Sequence, residues 1–101
     1  MSSIRQQKVE RLLQKEISTI FQLNYGDWFP NTMVTVTVVR VTPDFSFARV
    51  YLSVFGKMEA KECVDLINEH SSLVRGELGR RIGKQLRITP DVAFYIDDSL
   101  D

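Results

Sequence analysis

Histidine and cysteine are almost missing from this chain, which holds one of each, His70 and Cys63, in 101 residues. A lone cysteine excludes an internal disulfide framework. Cys63 falls in a helical pattern beside Leu66 and Ile67, where a small core side chain and a reducing cytosolic setting are expected. An imidazole and a thiol seven residues apart are too few for a tetrahedral metal site. No nucleophile and base are set out beside them, so the expectation is a non-enzyme without cofactor or metal. Net charge is missing too, with 13 Lys and Arg against 13 Asp and Glu. Indiscriminate coating of nucleic acid draws on bulk positive charge, so any such contact here has to come from a local face. No apolar run approaches a membrane span, and the opening MSSIRQQK lacks the apolar stretch of a signal peptide. A soluble, cytoplasmic protein is expected. There is no repeat, low-complexity tract or linker, and the length suits one domain over residues 1–101.

Charge is present locally. Between Ser72 and Pro90, Arg75, Arg80, Arg81, Lys84 and Arg87 face only Glu77, which points to a polyanionic partner. At about 100° per residue, Val74, Leu78, Ile82 and Leu86 form one apolar stripe, and Arg80, Lys84 and Arg87 fall opposite. Gly76 and Gly83 lie on the outward side, where each costs a helix roughly 1 kcal/mol relative to Ala. Core packing does not call for glycine there, whereas a phosphate backbone lying against the helix would. The competing reading is a solvated helix face. Arg75 sits at the edge of the stripe and is expected to be paired structurally as well as to bind.

Ser3 and Gln6 have the spacing of a capping box, and Val9, Leu12, Leu13, Ile17, Ile20 and Phe21 come after it at helical steps. The first helix is expected over 4–23, ended by Asn24, Tyr25 and a left-handed Gly26. Its outward face, Arg5, Lys8, Arg11 and Lys15 with Glu10 and Glu16, reads as solvated. Trp28 and Phe29 are expected in a loop that covers the core, with a base-stacking platform as the alternative. The run MVTVTVVRVT alternates as a strand over 33–42, and the adjacent Val38 and Val39 suggest a bulge. Pro43 to Ser46 turn the chain into a second strand, 47–55, making an antiparallel hairpin.

A short helix over 59–69 then meets the basic helix at His70, Ser71 and Ser72, with Ser71 or Ser72 expected to cap that basic helix. A third strand over 92–96 is expected parallel to the second. Asp97, Asp98 and Asp101 form a polar end, where a solvated tail is preferred to a cation site. The expected fold class is α+β, a single KH-like domain in the order α-β-β-α-α-β, with a three-stranded mixed sheet and helices on one face.

Two helices joined by a break, set between strands, form the arrangement of the KH-type RNA-binding domain in its bacterial order. With VTVTVVRVTPDFSFARVYLSV at 34–54, LVRGELGRRI at 73–82 and LRITPDVAFYIDDSL at 86–100, the chain resembles the ribosome-binding factor A family over nearly its whole length. The resemblance implies a ribosome biogenesis factor that binds the assembling small (30S) subunit through its 16S ribosomal RNA precursor. It implies assistance in late rRNA processing without catalysis, and a monomer with no membrane partner. The family's Ala-x-Gly kink falls on His70, Ser71 and Ser72. The RNA-binding residues expected from the basic face and its outward glycines are Arg75, Gly76, Arg80, Arg81, Gly83, Lys84 and Arg87. Gly76 to Gly79 also spell the GxxG of an ordinary KH loop, so the clamp has two possible positions. From another functional class, a protein-interaction module would dock through a sheet edge, that of the second strand, or through the Trp28–Phe29 loop.

Overall fold

The computed structural model describes residues 3–97, apart from the side chains at positions 25 and 26. The elements are α1 (Ile4–Trp28), β1 (Thr32–Val41), β2 (Phe47–Gly56), α2 (Ala60–Glu69), α3 (Ser71–Ile82) and β3 (Asp91–Ile96). The capping box forms at the start of α1: the Gln6 amide N–H donates to Ser3 Oγ at 3.1 Å, and the Ser3 N–H donates to Gln6 Oε1 at 3.0 Å. Two of the free donors of the first turn are thereby satisfied.

The helix does not stop at Leu23 but runs through positions 24–26 to Trp28. Aromatic packing is the cause. Phe21 lies 5.6 Å from Phe29 and 5.8 Å from Phe94, centroid to centroid, and the added turn delivers Trp28 and Phe29 onto this cluster. The left-handed residue that turns the chain is Asn31, at φ 56°.

β1 and β2 pair antiparallel, and β3 joins β2 in parallel, giving the order β1-β2-β3. Val36 faces Leu52 while Val38 faces Tyr51, so Thr37 is the extra residue of a bulge. That insertion lets both Val34 and Val36 before it and Val39 and Val41 after it point into the core. Leu13, Ile17 and Phe21 of α1, Cys63 and Ile67 of α2, and Val74, Leu78 and Ile82 of α3 cover this face. The opposite face of the sheet carries no helix among the described residues, and the molecule measures 37 × 32 × 18 Å, thin in one direction.

Both sheet edges are occupied by helix side chains. On β1, Gln6 Nε2 donates to Val41 O (3.0 Å), Glu10 Oε2 accepts from Val41 N (2.9 Å), and Gln14 Nε2 donates to Val36 O (3.2 Å). Spaced by four, these polar residues form a row along one side of α1, and Glu10 is only 6% exposed. It therefore does not share the solvated face expected for it. On β3, Asn68 acts as a short strand: its Nδ2 donates to Phe94 O at 3.0 Å and its Oδ1 accepts from Phe94 N at 2.9 Å. β2 is the central strand and has no free edge, which removes the docking mode that used it.

Candidate nucleic-acid interface

α2 and α3 meet at His70, whose φ of −98° and ψ of 15° end one helix and begin the next. Its N–H is shared between Leu66 O (3.2 Å) and Ile67 O (3.0 Å), and its carbonyl accepts from Val74 N at 3.0 Å. Neither Ser71 nor Ser72 is the N-cap: both lie inside the first turn of α3, and His70 takes that position without a side-chain capping bond. The His70 ring meets Trp28 edge-on at 5.7 Å. Trp28 also lies 6.5 Å from Phe21, and Phe29 is 1% exposed. These aromatics close the core beneath the helix junction, so Phe29 offers no face to a base, and Trp28 is half-buried at the end of a helix rather than in a loop.

Gly76 to Gly79 lie within the continuous helix α3, not in a loop. Leu78 between them is fully buried, as the apolar stripe requires. The stripe continues to Leu86, half-buried against the core, but the helix does not. α3 ends at Ile82, and the amides of Gln85 and Leu86 fold back onto the Ile82 carbonyl at 2.8 and 2.9 Å. Lys84 and Arg87 therefore project from the α3–β3 loop rather than from a helix face. Gly83, the C-cap, keeps right-handed helical dihedrals (φ −55°, ψ −26°), and a Cβ there would lie 2.9 Å from the Gly79 carbonyl, so its glycine has a packing reason after all. At Gly79 a Cβ would meet Thr89 Oγ1 at 3.0 Å, and at Gly76 it would meet nothing within 4 Å. Only Gly76 combines an open helix face with no packing demand for glycine.

The basic residues of this stretch differ in what they already hold. Arg75 donates from Nε and Nη2 to Thr89 O (3.3 and 3.1 Å) and its Nε lies 3.0 Å from Asp91 Oδ1, tying α3 to the start of β3. Arg80 pairs with Glu77 one turn back, and Arg81 reaches Glu16 of α1 at 3.3 Å. Lys84 and Arg87 are exposed and have no hydrogen-bond or ion-pair partner among the described residues. Arg87 and Leu86 line a groove of about 310 Å³ with Arg5, Asp44 and Phe45.

Phe45 occupies a left-handed φ of 61°, unusual for a bulky side chain, and the Arg5 guanidinium lies over its ring at 5.2 Å. Asp44 holds this turn by accepting from Thr42 Oγ1 (2.7 Å), Ser46 Oγ (2.8 Å) and Ser46 N (3.1 Å). The Thr42 and then the Ser46 bonds lower the Asp44 pKa below its ordinary value. No spacing in the sequence joins Arg5 to Arg87. Only the contact between the start of α1 and two loops does so.

Elsewhere the chemistry is quiet. Cys63 is fully buried, and burial pushes its thiol up to about 11. Asp97 Oδ2 accepts from Thr37 Oγ1 at 2.6 Å, while Asp98 and Asp101 lie outside the described residues. Among the described residues no group of His, Cys, Asp and Glu side chains is placed to hold a metal, and no helix is long and apolar enough to cross a membrane.

Two helices joined at a single bent residue, between strands of a mixed sheet with helices on one face, define a KH-type domain in its bacterial order. The model of the ribosome-binding factor A family matches residues 5–101. A ribosome-binding factor A from Cytophaga hutchinsonii is 43% identical over 101 residues, covering 100% of this chain and 76% of the relative. The chain belongs to the ribosome-binding factor A family. The crystal structure of ribosome-binding factor A from Thermus thermophilus superposes with a TM-score of 0.75 at 20% identity, covering 90% of this chain and 94% of that one. A homology model of the Thermus thermophilus factor, fitted into the cryo-EM map of a 30S complex, has a TM-score of 0.74 at 21% identity, covering 92% and 96%.

Proposed function

We propose that this protein is a non-catalytic maturation factor that binds the assembling small ribosomal subunit through its 16S ribosomal RNA and assists late processing of the precursor. Family membership over residues 5–101 carries the reading, because a relative of the same fold has been fitted into a 30S complex. The single domain acts as a cytoplasmic monomer without a cofactor, and its partner is RNA rather than a membrane. The RNA backbone lies along the outward side of α3, closest at Gly76, where no side chain intervenes. Lys84 and Arg87, which have no partner among the described residues, neutralise phosphates, and Arg5 joins Arg87 across the groove. Arg80 and Arg81 contribute from ion pairs, and Arg75 mainly fixes the helix in place. Binding shifts the RNA toward the arrangement that fits this surface, by the difference in affinity between the arrangements.

Co-sedimentation with small subunits across a salt series tests this. Lys84→Ala/Arg87→Ala should weaken binding and lower the slope of log affinity against log salt by about 2, roughly one for each phosphate no longer neutralised. Binding unchanged in strength and salt dependence would contradict the assignment.

A further inference from the structure

The face of the sheet turned away from the helices has a composition that the α3 interface does not use. Arg40 of β1 stands directly opposite Arg49 of β2, and both are exposed. In the next row, Tyr51 of β2 faces Tyr95 of β3, with ring centroids 5.7 Å apart and planes tilted by 33°. Among the described residues Arg40 pairs with one acidic side chain, Glu10 at 3.9 Å, which is buried and also accepts from the Val41 N–H. Arg49 has no partner among the described residues. Among the described residues, the carboxylates at the two ends of β3 are engaged, Asp97 on the Thr37 hydroxyl and Asp91 on Arg75.

Like charges directly opposed across a ladder destabilise a sheet, and an anion placed between them removes the penalty. Alternate residues on a strand are about 6.6 Å apart, so the arginine row and the tyrosine row lie within reach of one nucleotide. Cations beside an exposed ring, Tyr95, and a half-buried one, Tyr51, on an open sheet suit an unpaired strand, whose bases are free to stack, better than a duplex, whose bases are already stacked.

We propose that this open sheet face is a second nucleic-acid surface that takes an unpaired RNA strand, with phosphates on Arg40 and Arg49 and a base on the Tyr51–Tyr95 pair. The choice of RNA over other polyanions rests on the function proposed above. With the molecule only 18 Å thick, the protein would lie between two RNA elements, one on α3 and the loop after it and one on the sheet.

The test uses a short fluorescein-labelled oligouridine, with unlabelled RNA duplex as competitor, and measures anisotropy over a salt series. Oligouridine should bind and duplex should compete poorly. Arg49→Gln should lower the salt slope by about 0.7 and Arg40→Gln/Arg49→Gln by about 1.4, as expected for phosphates of a single strand. Arg49→Gln should not lower the melting temperature, since it removes a repulsion and no bond, so a loss of binding there is not unfolding. Tyr51→Leu/Tyr95→Leu should weaken binding at least about fivefold with the slope unchanged. In the Lys84→Ala/Arg87→Ala background, oligouridine binding should still depend on Arg40, Arg49, Tyr51 and Tyr95. Oligouridine binding equal in parent and sheet variants, or equal competition by duplex, overturns the sheet site. So does a sheet variant that keeps oligouridine but loses a ribosomal protein. Each of these results leaves the α3 reading to stand or fall by its own co-sedimentation.

Discussion

At Gly76 a missing side chain has two opposed consequences. Ala favours a helix over Gly by roughly 1 kcal/mol, and a Cβ at this position meets open space, so Gly76→Ala should raise stability by about that amount in urea unfolding. The same methyl should weaken subunit binding by holding the RNA backbone away. Gly83→Ala should instead destabilise, because its Cβ would press on the Gly79 carbonyl. A loss of stability in Gly76→Ala would mean that α3 is not continuous there. Cys63 offers a test of a different kind. Its thiol is raised to about 11 by burial, so it should resist alkylation at mildly alkaline pH in the folded protein and react once urea unfolds it. Stability from keeping this thiol neutral is fully present below the unfolded value of 9.0 and is lost as pH rises through about 11. Rapid alkylation under native conditions would contradict the packing of α2.

Among the elements, α3 depends on the apolar stripe that ends at Ile82, which is fully buried. Ile82→Ala should cost about 2–5 kcal/mol, and a loss below about 1 kcal/mol would mean the stripe does not face the core. On α1, Glu10→Ala should cost about 1–3 kcal/mol by stranding the Val41 N–H, a consequence that a solvated Glu10 would not have. Periodicity makes such features unequally visible. The valine alternation of β1, the Ser3–Gln6 box and the Val74, Leu78, Ile82 spacing are local patterns and are legible in the sequence. The extra turn of α1 is not, because contacts with Phe94, far along the chain, outweigh the breaking tendency of Asn24 and Gly26. Nor is the role of Gln6, Glu10 and Gln14 on the β1 edge, since a polar stripe facing backbone looks the same in sequence as one facing water. The end of α3 is hidden for a related reason: Leu86 keeps the helical spacing and packs on the core although the helix has already ended at Ile82.

For the whole molecule, the charge pattern changes meaning once the chain is folded. The basic stretch counted from the sequence is largely paired, Arg75 with Asp91, Arg80 with Glu77 and Arg81 with Glu16, which leaves Lys84 and Arg87 as its free cations among the described residues. A neutral chain can thus present a focused basic site at one end of α3 without coating RNA at large. On the proposed function, this end of the molecule, with the outward side of α3, lies on ribosomal RNA in the small subunit. Ultraviolet crosslinking of the protein to assembling small subunits, and then identification of the peptides that carry nucleotides, tests it most directly. Nucleotide-bearing peptides from residues 73–90 are expected, absent in Lys84→Ala/Arg87→Ala. Crosslinks confined to ribosomal proteins, or RNA crosslinks that exclude this segment, would contradict it.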